Sequence, residues 1–305
     1  MSSSVPHTLP IQPELLIRGL TLVSLGGLLL ATGLRLEVAA VVAAIRSCRW
    51  SVVLPLNFIA VPLLACALAR AFALPPEYAA GMLLLAAAPF APVVPVFVKM
   101  ARGDLALAAG LTAIFPLFAI FLTPLAFDAG FAALGGAATL RFSYLNLLTV
   151  LSCSVSMPLL AGMVLRFGLP GLASRLLRPL DVLAETAGAV SLAFVTWVES
   201  GTLLATGWKP LMAFILAGEL SFCLGYVAGG PGSQGRRVIA FGTANRNIAL
   251  AILIAVESFA GTQVAAVVVA NGLALILLGL LHAVYYRRLA ERGRLPVAVG
   301  RKRLP

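Results

Sequence analysis

Charged residues are scarce in this chain: its 305 residues include 22 Lys and Arg and 11 Asp and Glu, which is 11% in total. A soluble domain carries about 25% charged residues. With 61% hydrophobic residues and a mean hydropathy of +1.04, the chain has too much apolar surface to bury in one aqueous core. These numbers exclude a water-soluble globular domain and predict an all-α protein that lies in the lipid bilayer.

Residues for metal binding or catalysis are also few. The chain has two histidines, at opposite ends, and four cysteines that form no Cys-x-x-Cys pair. No Ser/His combination or pair of aspartates suggests a reaction, so we predict no enzyme activity, no metal site and no cofactor. The net charge of +11 comes without aromatic residues between the basic ones, which argues against nucleic-acid binding.

Nine apolar segments are long enough to cross a bilayer, which takes about 20 residues in a helix. Short connections with Gly and Pro separate them. The predicted spans are 15–34, 50–70, 78–99, 104–127, 143–167, 180–203, 209–229, 237–256 and 262–286.

Basic residues alternate between the connections in a way that tests this count. One set of alternate connections is strongly basic and the opposite set is not. Cytoplasmic loops carry the excess of Lys and Arg, so the N-terminus is predicted outside and the C-terminus in the cytoplasm. The basic set is Arg35, Arg46, Arg49, Lys99, Arg102, Arg166, Arg175, Arg178, Arg236, Arg237 and the tail; the opposite set is Arg70, Arg141 and Lys209.

The predicted domain organisation follows from the spans. Residues 1–14 form an external N-terminal segment, 15–286 one transmembrane domain, and 287–305 a basic cytoplasmic tail. Within the domain, a first repeat of four helices covers about 15–127 and a second repeat of five covers about 143–286. The two repeats have opposite orientation in the membrane, because the third span runs inward and the corresponding eighth span runs outward.

These two corresponding spans are interrupted. The third contains Pro89, Pro92 and Pro95, each of which removes a helical hydrogen bond. The eighth contains the polar run 242–247, in which Gly242 favours unwinding. Paired broken helices are typical of the substrate site of a secondary transporter, where they cross at mid-membrane. We therefore expect helix breaks at these four residues.

The polar run also contains the candidate binding residues. Arg246 brings a permanent positive charge with a fork geometry that suits a carboxylate, while Asn245, Asn247 and Thr243 can line the crossing point. An arginine at this depth must face protein, water or a ligand. The alternative is a structural ion pair between Arg246 and a membrane acid; the candidates are Glu185, Glu199 and Glu219.

The motifs now assembled resemble those of the bile acid:sodium symporter family. Ala88-Pro89, then Ala101-Arg102-Gly103-Asp104, is similar to the family's Pro-Gly-Gly-x-x-Ser-Asn and Ala-Arg-Gly-Asp segments, and Thr112 falls at the family's threonine. Asp104 suits the N-cap of the following helix. In the second half, 157–163 resembles the family's sixth helix and 243–251 its ninth. The resemblance covers nearly the whole chain and implies the family's carrier mechanism.

Four positions depart from the family pattern. Val94 and Pro95 stand where the family has its Ser-Asn sodium ligands, Gly242 replaces a sodium-binding glutamate, and Arg246 replaces a glutamine. Sodium requires oxygen ligands, so these departures argue against conventional two-sodium coupling. A fixed guanidinium at Arg246 can instead balance an anionic substrate.

The sequence therefore predicts a carrier in a bacterial inner membrane. It would transport a small organic anion by alternating access between a core bundle and a panel of other helices. Thr112 is a candidate for holding an ion, Na⁺ or H⁺, and Glu219 or Glu199 for proton coupling. Uniport and exchange stay open as alternatives. A rival from another class is a membrane sensor that binds a ligand without transporting it.

Overall fold

The computed structural model describes residues 13–35, 42, 44–46, 48–135 and 144–292. In these ranges the chain forms helices and no strand, which confirms the all-helical prediction. We number the helices in chain order. They are α1 (Pro13–Arg35), α2 (Trp50–Ala71), α3 (Pro76–Ala86), α4 (Val94–Met100), α5 (Leu105–Ala133), α6 (144–168), α7 (Pro170–Val198), α8 (Ser200–Ala205), α9 (Trp208–Ala228), α10 (Ser233–Ala244), α11 (Ile248–Ser258) and α12 (Val264–Glu291).

Seven segments among the described residues are long and apolar enough to cross a membrane, and α10 and α11 together count as one of them. The chain is therefore an integral membrane protein. The predicted number was nine. The predicted span 78–99 is not one of the seven, because it is divided into the short helices α3 and α4. The predicted span 143–167 is not one either: its described apolar part, Ser152–Gly168, has fewer than 18 residues.

Helix ends differ from the prediction at several places. The span predicted at 180–203 is α7, which begins ten residues earlier because Pro170 is accepted in a first helical turn. Helix α12 continues to Glu291, five residues beyond the predicted end. Of the predicted external segment, 1–12 lies outside the described residues, as does 293–305 of the predicted tail.

Helices α1, α6 and α7 pack closely through glycines, and we call these three helices the panel. A Cβ on Gly33 of α1 would lie 2.3 Å from the Leu159 carbonyl oxygen of α6. A Cβ on Gly27 would lie 2.7 Å from the Cβ of Ala184 in α7. Only glycine permits such close backbone approach, so α1 is held tightly against both partners.

The divided helices lie in the interior of the molecule. Nearly every residue from Ala79 to Ala91 is buried, and α10 is buried from Arg237 to its end. Helix α12 packs on α3, where a Cβ on Gly81 would lie 2.7 Å from a methyl carbon of Val267. We call α3, α4, α5, α10 and α11 the core.

Candidate functional site

The first helix break covers residues 87–93, between α3 and α4. The Thr123 hydroxyl donates to the carbonyl of Ala87 at 2.8 Å, which satisfies one group that the end of α3 leaves open. Pro89 and Pro92 lie within the break, as predicted. Pro95 does not: it occupies the first turn of α4, where the missing N–H would have no helical partner. The prediction that Pro95 breaks the helix is therefore wrong.

The second break covers Asn245, Arg246 and Asn247, between α10 and α11. The Asn247 side-chain oxygen accepts a hydrogen bond from the Leu250 N–H at 3.0 Å and so forms the N-cap of α11. Gly242 was predicted to break the helix. It lies inside α10 instead, and the unwound residues begin only at Asn245.

Backbone hydrogen bonds join the two breaks, and we call 87–93 together with 245–247 the crossover. The Asn247 N–H donates to the Ala88 carbonyl at 2.8 Å, and the Ala91 N–H donates to the Asn245 carbonyl at 3.0 Å. Away from water, backbone groups that leave a helix must find partners in the protein. Each break thus supplies partners to the other.

Gly242 receives the ring of Phe90 at the crossover. A Cβ at position 242 would lie 2.0 Å from the ring carbon Cζ of Phe90, closer than any nonbonded contact permits. The Phe90 ring also stacks on the ring of Phe115, with ring centroids 4.0 Å apart. Phe90 also has φ of 57°, a left-handed conformation that favours glycine. The ring therefore leaves no room for any side chain at position 242.

A cavity of about 700 Å³ lies beside the crossover, between the panel and the core. Helices α1 and α7 form one wall, and α4, α5 and α11 contribute to the other. The lining is mostly apolar, with polar and charged residues at a few points. These are Thr21, Ser24, Thr32, Arg35, Lys99, Thr112, Glu185, Ser191, Asn245, Arg246 and Asn247.

Arg246 is the buried cation of this cavity, with an exposed fraction of 3%. Its Nη1 and Nη2 atoms have no hydrogen-bond partner in the part of the chain that the structure describes. The predicted alternative was a structural ion pair of Arg246 with Glu185, Glu199 or Glu219. The described residues form no such ion pair. Glu185 lines the same cavity but is not within ion-pair distance of Arg246.

The predicted site residues divide into two groups. Arg246, Asn245, Asn247 and Thr112 line the cavity. The Thr112 hydroxyl donates to the carbonyl of Ala108 in its own helix at 2.8 Å.

Thr243, Glu219 and Glu199 lie elsewhere. The Thr243 hydroxyl accepts a hydrogen bond from Asn57 at 3.3 Å in the packed interior, because position 243 still belongs to α10 and faces α2. Glu219 pairs with His282 at 3.3 Å between α9 and α12. Glu199 lies at the bend between α7 and α8, outside the cavity lining.

A polar stripe on α1 belongs to the site and was not predicted. Thr21, Ser24 and Thr32 line the cavity from one face of this helix. Their spacing of three and eight residues is that of one helical face. Polar residues in that pattern within an apolar span indicate a helix face that lines a cavity filled by water or a ligand.

The model of the Sodium Bile acid symporter family matches residues 22–206. This match covers more than half of the chain and includes the second half of α1, the whole of α7 and the first break. No curated protein matches the chain. Members of this family are transporters, which agrees with a cavity between two packed groups of helices. The chain is a transmembrane transporter that belongs to the sodium bile acid symporter family.

Proposed function

We propose that this protein is a secondary active transporter that carries a small organic anion by alternating access and does not depend on sodium. The observation that carries the proposal is Arg246, a buried guanidinium without an anionic partner in the described chain, at the wall of a large cavity.

The electrostatics of Arg246 favour an anionic ligand. An isolated buried charge costs several kcal/mol unless it is paired and hydrogen-bonded. Two described carboxylates pair with other cations and not with Arg246: Glu257 pairs with Arg18, and Asp181 pairs with Arg35. Helix α11 begins one residue beyond Asn247, and the positive end of its dipole favours negative charge. A carboxylate or sulfonate from the ligand would supply the missing partner.

The size and lining of the cavity support an organic rather than an inorganic ligand. Pockets for drug-sized molecules occupy about 300–1,000 Å³ and are mostly apolar with a few polar groups. The cavity of about 700 Å³ has this character, with Ile252, Leu28 and Leu192 among its apolar residues. We propose an apolar body against these residues and an anionic group at Arg246.

The residues present do not fit a bound sodium ion at the positions implied by the family pattern. A hard cation takes oxygen ligands, whereas this chain has Val94, Pro95 and Gly242 at the three ligand positions and the cation Arg246 where the family has a glutamine. The Phe90 ring also fills the space beside Gly242. We therefore propose coupling to protons or to an exchanged anion, with uniport, which needs no coupling, as the alternative. Because Glu185 lines the cavity, it is a better candidate proton acceptor than Glu219 or Glu199.

The proposal includes nine membrane passages in two inverted repeats of four and five, with the third and eighth passages broken at the crossover. The basic connections support an N-terminus outside and a C-terminus in the cytoplasm, in a bacterial inner membrane. In this orientation the cavity faces the cytoplasm, since exposed Lys99 and Arg35 line its end at the basic connections. The structure would then represent an inward-open state.

Thermal unfolding of the purified protein tests the binding step. We expect one member of a panel of organic anions to raise the melting temperature equally in sodium chloride and choline chloride, because a ligand of the native state stabilises it. Arg246→Gln should abolish this rise. Arg102→Gln, which removes an exposed cation outside the cavity, should not. A rise that requires sodium would contradict the proposed coupling.

Flux measurements separate transport from sensing. Proteoliposomes with the purified protein should accumulate or exchange the stabilising anion, and Arg246→Gln should lose this uptake. A membrane sensor would bind the same anion saturably without flux. Binding without any flux would therefore reject the transporter and favour the sensor.

A further inference from the structure

An ion pair connects the panel to the core beyond one end of the cavity. The Arg18 guanidinium of α1 contacts the Glu257 carboxylate of α11. The side chain of Arg18 is 51% exposed and that of Glu257 is 15% exposed, so Glu257 is largely covered. The pair joins the two groups of helices whose separation would open the cavity.

The cavity stops just short of this pair. On α1 the lining begins at Thr21, one turn after Arg18, and on α11 it ends at Ile252, five residues before Glu257. Thr21 and Ile252 are buried, whereas Arg35 and Lys99 at the opposite end are exposed. The cavity is thus closed at the Arg18–Glu257 end and open at the other.

Helix α1 cannot move together with α11 without losing its contacts with α6 and α7. Gly33 and Gly27 hold it against α6 and α7 at distances that admit no side chain. A movement that opens the closed end must therefore separate α1 from α11, with the panel moving as one body. The Arg18–Glu257 contact lies across this line of separation.

We propose that the Arg18–Glu257 ion pair is a latch: it holds the closed end of the cavity shut and breaks when the transporter turns outward. The inference rests on the proposed alternating access. Removing either charge favours the outward-open state, since the pair exists only while panel and core touch at this end.

A second ion pair provides the matched control. Arg35 contacts Asp181, and both residues belong to the panel, in α1 and α7. This pair stays within one body during the proposed movement. Removing the Asp181 charge should leave the balance between the two states unchanged.

The test measures access to the cavity from each side of the membrane. Leu28, which lines the cavity and is partly exposed, is replaced by cysteine in a variant whose native cysteines are changed to serine. A membrane-impermeant maleimide is then added to right-side-out or inside-out vesicles. The ratio of the two labelling rates reports the balance between outward-open and inward-open states and requires no substrate.

Arg18→Gln and Glu257→Gln should each raise labelling from the outside, relative to the inside, by about two- to fivefold, the range expected for a partly exposed ion pair. The double reversal Arg18→Glu with Glu257→Arg should return the ratio to the parent value, and Asp181→Asn should leave it there. A cooperative melting curve close to that of the parent, measured in detergent for every variant, verifies that the protein is folded.

Three results would overturn the latch: an unchanged ratio in both single variants, the same increase in Asp181→Asn, or no return in the double reversal. If the cysteine in the parent and in every variant is labelled from one side only, alternating access itself fails. If the parent is labelled from both sides but the single variants do not shift the ratio, only the latch fails.

Discussion

The ring of Phe90 occupies the space in which a side chain at Gly242 would lie, with Cζ only 2.0 Å from the position of a Cβ. The two residues are 152 positions apart in sequence and meet where the Phe90 N–H donates to the Gly242 carbonyl at 3.3 Å. The large side chain of Phe90 in the first break thus fits against α10 because position 242 has no side chain. This contact determines which substitutions the crossover tolerates.

Gly242→Ala should destabilise the protein, because the new methyl group must displace the Phe90 ring from its stack on Phe115. Overpacking of this kind costs about 1–3 kcal/mol. Phe90→Gly, which also suits the left-handed φ, should remove most of the penalty in the double variant. The measurement is a double-mutant cycle of thermal unfolding in detergent. Additive effects of the two substitutions would contradict the contact.

Arg246→Met should raise the thermal stability of the ligand-free protein, because it replaces a buried charge without an anionic partner by an apolar side chain of similar length. The same variant should lose stabilisation by the organic anion. Melting curves with and without ligand measure both effects. A large loss of ligand-free stability would mean that the guanidinium has a structural partner after all.

Asn247 separates the role of the cap from that of charge. Asn247→Ala removes the acceptor for the Leu250 N–H and should cost about 1 kcal/mol of stability. Asn247→Asp keeps the cap, so the fold should remain stable, but it adds a negative charge beside Arg246. We expect Asp to abolish binding of the anion and Ala to weaken it. Equal binding in the two variants would argue against an anionic ligand.

Arg237 ties the end of α4 to α10. Its Nη1 donates to the Ala101 carbonyl at 2.6 Å, and its Nε donates to the Ser233 carbonyl at 3.0 Å. Because the Arg237 side chain is only 1% exposed, water cannot easily replace it as the donor to the Ala101 carbonyl. Arg237→Met should therefore lower the melting temperature, with a loss of about 1–3 kcal/mol for the charged hydrogen bonds. Stability equal to that of the parent would contradict this role.

Part of each break could be predicted from sequence, because local chemistry determines it. Pro89 and Pro92 remove backbone donors, and the run 245–247 contains residues that favour caps and turns. The N-cap at Asp104 is confirmed for the same reason: its side-chain oxygen accepts from the Leu107 N–H three residues later, at 3.0 Å. These interactions need no knowledge of distant parts of the chain.

Contacts between distant helices could not be predicted in this way. Thr243 is two residues from Asn245, but a helix turns about 100° per residue, so it faces Asn57 rather than the cavity. The partner of Glu219 is His282, and no periodic pattern links these two positions. The packing of Phe90 on Gly242 likewise depends on how two breaks meet, which a single sequence does not encode locally.

The hydrogen bonds of the crossover also constrain how the protein can be assembled. Among the described residues, the N–H groups of Ala91 and Asn247 donate to carbonyls in the opposite half of the chain. A half that enters the bilayer alone would therefore carry open backbone donors at a depth where lipid offers no acceptor. We therefore expect the hydrogen bonds of the crossover to form late in biogenesis, after residues 245–247 have been synthesised. Two fragments divided between 135 and 144 should accordingly be stable only when they are produced together.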